Sequence, residues 1–316
     1  MTTYHADLAW LPPGRLGRDV TVEVEDGRIA QVTEGTGAAG AEHLPGLLLP
    51  GFANAHSHAF HRALRGRTQR DTGGRGSFWT WREQMYAVAA RLDPESYLAL
   101  ARAAYGEMVL AGITRVGEFH YLHHAPDGSP YDDPNAMGHA LVQAAREAGL
   151  RLTLLDTCYL TGGIGEPLDG VQRRFGDADA AGWAARVDAL QAALDAAPDV
   201  VVGAAVHSVR AVPADQLATV VEWSADHAAP LHVHVSEQQR ENEACLAAYG
   251  VTPTGLLHDH GALGPRTTAV HATHLTDGDV ELLGTSGTAV CMCPTTERDL
   301  ADGVGPAGRV REAGSP

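Results

Sequence analysis

The segment Leu231-His-Val-His-Val-Ser-Glu237 combines a short apolar strand with histidines and an acid at its end. A helical pattern precedes it over 214–227, and another apolar strand lies before that over 200–206. Apolar strands that alternate with amphipathic helices are typical of a parallel sheet covered by helices on its faces. This segment is therefore predicted to be one repeat of a larger α/β domain.

The same alternation continues on both sides of this segment. Seven strands favour a TIM-like (β/α)₈ barrel over an open sheet, and because the count is seven the barrel is predicted to miss its last strand. No Gly-x-Gly-x-x-Gly motif follows the first strand, which weakens a dinucleotide-binding interpretation. Strands are predicted over 47–55, 113–119, 150–158, 200–206, 230–235, 268–272 and 288–292, and helices over 94–110, 135–148, 180–196, 214–227 and 240–249.

The first 46 residues follow a different pattern. Residues 20–24 alternate between apolar and polar side chains, as in a strand. Asp26-Gly27 supplies a hairpin turn, and residues 29–32 form the returning strand. We therefore predict two domains. Residues 1–46 form a small β unit, of the composite-sandwich kind, and residues 47–316 form the incomplete barrel.

The composition limits the function classes. The chain has 316 residues, 44% of them hydrophobic and 20% charged, as expected of a globular protein with a sizeable core. Its formal net charge of −16 argues against nucleic-acid or anionic-membrane partners. All 23 basic residues are arginine, so a Schiff-base lysine, a P-loop lysine and a carbamylated-lysine metal bridge are excluded.

Several other features of the sequence bear on location and redox state. The four cysteines (Cys158, Cys245, Cys291 and Cys293) do not suggest a disulfide framework in a chain of this length. The N-terminal residues show no signal peptide, and no apolar run approaches the roughly 20 residues that span a bilayer. A cytoplasmic location is expected. The sequence leaves the oligomeric state open, with a homodimer among the options.

Histidines are concentrated at the predicted strand ends, where a barrel places its active-site rim. His56 and His58 are two residues apart and therefore face the same side of a strand, so both imidazoles can point at one ion. His232 and His234 repeat this spacing, and His271 ends the next strand. A pair of solvated loop histidines is the alternative for each motif alone. Three strands that end in this way strongly indicate a metal site.

These histidine motifs resemble those of a known family. The motifs Asn54-Ala-His-Ser-His58, His234-x-x-Glu237 and Val270-His-Ala-Thr-His274 resemble the amidohydrolase superfamily, specifically its mononuclear deaminase branch. The resemblance implies that His56, His58 and His234 bind one Zn²⁺, with Fe²⁺ as an alternative. It further implies that Glu237 is the proton shuttle and that His271 polarises the attacked centre. His232 and His274 are then structural. The alternative for Glu237 is an acid at a helix N-terminus, stabilised by the helix dipole.

Further segments narrow the resemblance to the formimidoylglutamate deiminase family. They are Phe78-Trp-Thr-Trp-Arg-Glu83, Gly117-Glu-Phe-His-Tyr-Leu-His-His124 and Cys293-Pro-Thr-Thr-Glu297. This resemblance implies zinc-dependent hydrolysis of N-formimidoyl-L-glutamate to N-formyl-L-glutamate and ammonia, in histidine degradation. It assigns substrate binding to His61, Arg82, Tyr121, His207 and Arg210.

The chemistry of the implied substrate agrees with these residue types. N-formimidoyl-L-glutamate carries two carboxylates, and the planar guanidinium of arginine binds carboxylates through two hydrogen bonds. Arg82 and Arg210 would therefore hold the substrate, and Tyr121 would add a hydroxyl donor. Taken singly, Arg82 fits a solvated helix residue and Arg210 a surface loop residue. The expected partner is a small molecule with two carboxylates.

The chain departs from the family at its end. Family members carry a further aspartate, both metal ligand and general base, at the end of the eighth strand, and this sequence stops before that position. Asp299 and Asp302 match a different segment and are not assigned to the metal. We therefore expect a C-terminally truncated deiminase whose own activity is open.

Three alternatives remain from the sequence. The first is another deaminase of the same branch, acting on a guanine, cytosine or adenosine-type base; such a pocket would use stacking aromatics and amides. The second is imidazolonepropionase, which belongs to the same superfamily. The third is an inactive fragment that binds metal without turnover.

Overall fold

The computed structural model divides the chain into two units, Met1–Phe52 and Ala53–Pro316. It describes residues 1–35, 37, 39–68, 78–195 and 197–316, so the last position of the predicted helix 180–196 lies outside the described residues. Among the helices of the described residues, none combines the length and the apolar character needed to cross a membrane.

The first unit is a four-stranded sheet. Its strands are β1 (Thr2–Leu11), β2 (Arg15–Glu25), β3 (Arg28–Glu34) and β4 (Glu42–Leu48), in the order β3-β2-β1-β4. The predicted hairpin is confirmed, because β2 and β3 pair antiparallel with Val22 opposite Val32. Asp26 and Gly27 both have positive φ, as a tight turn of this kind requires. Ala9, Val20 and Val22 form its small core.

The second unit contains a seven-stranded sheet that follows chain order. Consecutive strands from β6 to β11 pair in parallel, and β5 lies beside β6. The strands are β5 (Phe52–Ser57), β6 (Ile113–His120), β7 (Arg151–Cys158), β8 (Val200–Val206), β9 (Leu231–Val235), β10 (Thr267–His271) and β11 (Ala289–Cys291). Six of these strands match their predicted positions closely.

The first predicted strand, 47–55, was wrong in its extent. The apolar run holds two strands that belong to different sheets: Leu47 and Leu48 pair with β1 as part of β4, and the barrel strand β5 begins only at Phe52. Pro50 and Gly51 separate them, and proline cannot donate a backbone hydrogen bond to a sheet. Hydrophobicity alone does not reveal such a break.

Helices connect the barrel strands. Asp93 caps the N-terminus of α2 by accepting the backbone N–H of Ser96, and Gly149 ends α3 in the left-handed conformation. The helices are α1 (Phe78–Ala89), α2 (Pro94–Leu110), α3 (Ala136–Ala148), α4 (Ala180–Leu194), α5 (Ala214–Asp226), α6 (Gln239–Tyr249), α7 (Pro253–Asp259), α8 (Asp277–Ser286), α9 (Pro294–Leu300) and α10 (Ala307–Glu312). The five predicted helices correspond to α2, α3, α4, α5 and α6.

The seven-stranded sheet curls into a nearly closed barrel. In a flat sheet His56 of β5 and His234 of β9 would lie four strands apart, or about 19 Å. Their ring centroids are only 4.9 Å apart, and those of His56 and His271 of β10 are 6.0 Å apart. The curvature therefore brings the ends of distant strands to one mouth. The predicted TIM-like barrel fold is confirmed.

Candidate metal-binding and active site

One cavity at this mouth collects the side chains of every site residue predicted from the sequence. Its wall also includes aromatic side chains from α1 and from the loops after β7, among them Trp81, Tyr86 and Tyr159. His232 is buried and does not line the cavity. The predicted residues that line it are His56, His58, His61, Arg82, Tyr121, His207, Arg210, His234, Glu237 and His271.

The three histidines predicted as metal ligands converge at the base of this cavity. His234 Nε2 lies 3.2 Å from His56 Nε2 and 3.3 Å from His58 Nε2. His58 Nδ1 is 2.8 Å from the carbonyl oxygen of Phe119, and His234 Nδ1 is 3.0 Å from that of His207. A carbonyl oxygen only accepts, so both Nδ1 atoms carry the proton and both Nε2 atoms present a lone pair.

This arrangement fits a divalent metal ion. Lone pairs that face each other at such distances cannot hydrogen-bond, whereas one cation satisfies them together. Backbone carbonyls that hold the opposite ring nitrogen are the usual way in which proteins orient a metal-binding imidazole. Burial lowers the pKa of His58 to about 3, so its imidazole is neutral, as a ligand must be. His56 Nδ1 is buried and has no hydrogen-bond partner among the described residues.

The backbone turns sharply where these strands end. Ser236 follows β9 with a φ of 50°, and His271 and Ala272 end β10 with φ of 70° and 48°. Left-handed conformations in non-glycine residues cost on the order of 1–3 kcal/mol each and are concentrated at functional sites. The turns place Glu237 and His271 beside the imidazole cluster.

Glu237 and His271 form an acid–imidazole pair. Glu237 Oε1 lies 3.6 Å from His271 Nε2, and the opposite nitrogen, Nδ1, lies 3.4 Å from Glu297 Oε1. Burial lowers the pKa of His271, but the two carboxylates outweigh burial and the pKa stands above its ordinary value. The pair can therefore hold and exchange a proton next to the imidazole cluster.

The predicted substrate-binding groups line the same cavity, and the rings of His61 and Tyr121 lie 4.5 and 5.2 Å from that of His58. Tyr121 Oη and His61 Nε2 are 2.8 Å apart in a hydrogen bond. The guanidinium of Arg210 packs over the ring of Phe78, with 5.6 Å between its carbon and the ring centroid, and that of Arg82 lies 5.5 Å from the centroid of Tyr86. Arginine over aromatic faces is attracted by the ring quadrupole, and its planar group is held in place.

Glu241 is a buried acid beside this group that the sequence analysis missed. Its carboxylate is 3.8 Å from Arg210 Nε, and both of its oxygens lack a hydrogen-bond partner among the described residues. Burial raises its pKa to about 7, although Arg210 opposes this shift. Glu241 lies in the first turn of α6, and its short separation along the chain from Glu237, a predicted site residue, was the available signal.

A buried carboxyl group supports the loop that follows His58. Glu118 on β6 accepts the backbone N–H of Ala59 at 2.6 Å. Burial raises the pKa of Glu118 to about 8, so this group is mostly protonated near neutral pH. Because Ala59 directly follows His58, the contact ties β6 to the turn that aims the His58 ring.

A second group of titratable residues, His120, His123 and Asp156, lies outside the cavity. Arg186 on α4 donates to both carboxylate oxygens of Asp156, at 2.9 Å each, and Trp183 Nε1 donates to the same group at 3.1 Å. A guanidinium therefore already neutralises the only carboxylate. We interpret this group as a buried ion pair that fastens α4 to β7.

The titration of His123 should be measurable in the stability of the fold. Burial, aided by the charge of Arg186, lowers its pKa from 6.5 to about 4. A histidine whose pKa is lower in the folded than in the unfolded protein gives its full stabilisation at pH values above its pKa in the unfolded protein. This contribution is lost as the pH falls from 6.5 towards 4. In His123→Gln the free energy of unfolding should fall less over this range, by on the order of 3 kcal/mol. Denaturant melts at several pH values would measure the slopes.

The exposed residue His258 provides the control for this comparison. His258→Gln should keep the wild-type slope of unfolding free energy against pH. Equal slopes in wild type and His123→Gln would contradict the expectation.

Comparisons with known proteins agree on one family. The model of the amidohydrolase family matches residues 47–315. Formimidoylglutamate deiminase of Pseudomonas aeruginosa is 41% identical over 309 residues, which cover 97% of this chain and 67% of that protein. The crystal structure of an amidohydrolase from Brucella melitensis superposes with a TM-score of 0.94 at 37% identity, over 100% of this chain and 70% of that one.

A more distant structure shares the fold alone. It is an adenosine deaminase from Xanthomonas campestris with bound zinc, with a TM-score of 0.79 at 23% identity, over 99% of this chain and 66% of that one. The chain thus spans about two thirds of the length of each of these proteins.

Proposed function

This chain belongs to the amidohydrolase family, a family of metal-dependent hydrolases, and we propose that it acts on N-formimidoyl-L-glutamate, releasing ammonia and N-formyl-L-glutamate. The observation that carries the proposal is the pairing of two arginines with the three-imidazole cluster in one cavity. The bound ion is proposed to be zinc, with Fe²⁺ as the alternative. A small dicarboxylate is the proposed partner, and the cytoplasm the proposed location.

The charges of the cavity complement this substrate. Its formimidoyl group is an amidine, which is cationic near neutral pH, and its other end carries two carboxylates. Glu237 and His271 lie beside the imidazole cluster, and Arg82 and Arg210 line the same cavity. Guanidinium groups suit bidentate binding of carboxylates, and a carboxylate attracts the amidine. The substrate therefore fits in one orientation, with its reacting carbon at the imidazoles.

The chain's own residues then have separate tasks. When bound, zinc would supply a water whose pKa falls from 15.7 to about 7. Glu237 carries a proton to the nitrogen that leaves as ammonia, and the His271 ring hydrogen-bonds the developing charge at the attacked carbon. Tyr121 and His61 share one hydrogen bond, which leaves one proton of the pair to be donated to the bound substrate. The aromatic wall excludes water from the cavity.

A nucleobase deaminase is the main competitor, since the fold is shared with an adenosine deaminase. Ammonia release should be measured with N-formimidoyl-L-glutamate, guanine, cytosine, adenosine and 8-oxoguanine under the same conditions. The proposal expects turnover of the first compound alone. Turnover of a base instead would overturn it. Metal binding near one ion per chain without ammonia from any compound would favour the alternative that the protein binds metal without turnover.

Arg210 offers a direct test of carboxylate recognition. Arg210→Gln should lower kcat/KM for N-formimidoyl-L-glutamate roughly 10–100-fold, mostly through KM, because a hydrogen bond to a charged group contributes about 1.5–3 kcal/mol. Steady-state ammonia release measures both constants. Arg102→Gln, on the exposed face of α2, is the matched control and should leave them unchanged. An unchanged KM in Arg210→Gln would remove Arg210 from substrate binding.

A further inference from the structure

We propose that His271, Cys293 and Glu297 form a second cation site, containing sulfur, that takes a soft divalent ion such as Zn²⁺ or Cd²⁺. Each residue offers one ligand atom, and the three atoms all lie within 4.8 Å of one another. His271 ends β10, Cys293 lies two residues after the end of β11 and directly before α9, and Glu297 lies in the first turn of α9.

The spacing of these atoms is close to that of a bound ion. Tetrahedral zinc with bonds of about 2.0–2.3 Å separates its ligand atoms by roughly 3.3–3.8 Å. His271 Nδ1 and Glu297 Oε1 are already 3.4 Å apart. The Cys293 backbone N–H donates to the same carboxylate oxygen at 2.8 Å, which ties Glu297 to the loop that carries the thiol. The Cys293 thiol lies within 4.8 Å of the other two ligand atoms.

The surroundings of this site favour a cation. His271 and Glu297 are each only 4% exposed, so water satisfies them poorly. Two more acids, Glu237 and Asp302, lie close by, and burial together with the charges of Glu237 and Glu297 raises the pKa of Asp302 to about 6. A buried excess of negative charge is costly, and a divalent ion would relieve it.

The ligand types identify the class of ion. A thiolate with an imidazole selects zinc-like or softer ions, whereas Mg²⁺ and Ca²⁺ prefer sites made only of oxygen. Cys293 lines the cavity, so water or a solute can complete the coordination. The new site uses His271 Nδ1, while Nε2 of the same ring faces Glu237. The two cation sites therefore lie on different sides of the His271 ring.

An ion at this site should inhibit the enzyme. It would displace the proton on His271 Nδ1 that Glu297 accepts, and would place a positive charge next to the acid–imidazole pair. Excess Zn²⁺ would thus slow the hydrolysis proposed above, and this consequence, unlike the site itself, rests on the proposed function.

Cobalt titration tests the site without any activity. The three predicted imidazole ligands contain no sulfur, so a near-ultraviolet thiolate-to-cobalt charge-transfer band reports the second site alone. We expect the band when the full chain is titrated to two equivalents of Co²⁺. It should be absent in Cys293→Ser and retained in Cys245→Ser, the control, whose thiol is buried on α6 and does not line the cavity. No band in the wild type, or a band that survives in Cys293→Ser, would overturn the site.

Two further measurements exclude indirect effects. Circular dichroism should show that Cys293→Ser folds as the wild type does. Glu297→Gln, which keeps the Cys293 thiol, should weaken binding of the second Co²⁺ about tenfold or more. Unchanged binding in Glu297→Gln would count against the site. In the ammonia assay, inhibition by excess Zn²⁺ should be lost in Cys293→Ser, weakened in Glu297→Gln and kept in Cys245→Ser. If no ammonia is released from any substrate, the proposed function fails, while the cobalt band still decides the site.

Discussion

Glu237→Gln is expected to lower kcat for ammonia release by roughly 10²–10⁴-fold while the bound metal stays at the wild-type level. Glutamine has the same shape as glutamate but neither takes up nor delivers a proton at the departing nitrogen. Glu237 is not one of the three histidine residues predicted to hold the metal. Its carboxylate lies 3.6 Å from His271 in the cavity. Turnover and metal content should be measured on the same preparation.

Glu243→Gln is the control for this experiment. Glu243 lies on the exposed face of α6, where it pairs with Gln239. Its replacement should change neither turnover nor metal content. Loss of metal in Glu237→Gln would make Glu237 a ligand, and unchanged turnover would assign the proton transfer to another group.

His58→Ala is expected to remove both the metal and the activity. His58 supplies one of the three imidazoles that meet at 3.2 and 3.3 Å, and two remaining imidazoles hold a divalent ion far more weakly. Changes that only disturb the support of a ligand already cost about 10–100-fold in metal affinity, so loss of the ligand itself should exceed that. Metal analysis after dialysis against a chelator would measure the effect.

The control is His258→Ala, which removes an exposed imidazole on α7 far along the chain from any predicted ligand. Its metal content should equal that of the wild type. Should His58→Ala keep one tightly bound ion per chain, the shared imidazole site would be wrong.

Local sequence patterns predicted much of this fold because barrel repeats are local. Each repeat needs an apolar strand of five to eight residues and an amphipathic helix, as in the apolar strand at 200–206 and the amphipathic helix at 214–226 that follows it. The helices α7, α8 and α9 were not predicted, and α7 and α9, with seven residues each, carry too little periodicity to be recognised. The boundary between β4 and β5 was missed because one apolar run serves two sheets.

The sequence by itself determined the barrel repeats and the residues brought to its mouth, because strand-end histidines and His-x-His spacing depend only on neighbouring residues. Tertiary structure alone decided which nitrogen of each histidine faces the cluster, since the carbonyls of Phe119 and His207 that orient these rings come from other strands. It also decided that Glu241 meets Arg210 and that Glu297 meets His271. These contacts join residues 26–61 positions apart, and no local pattern encodes the curvature that closes such distances.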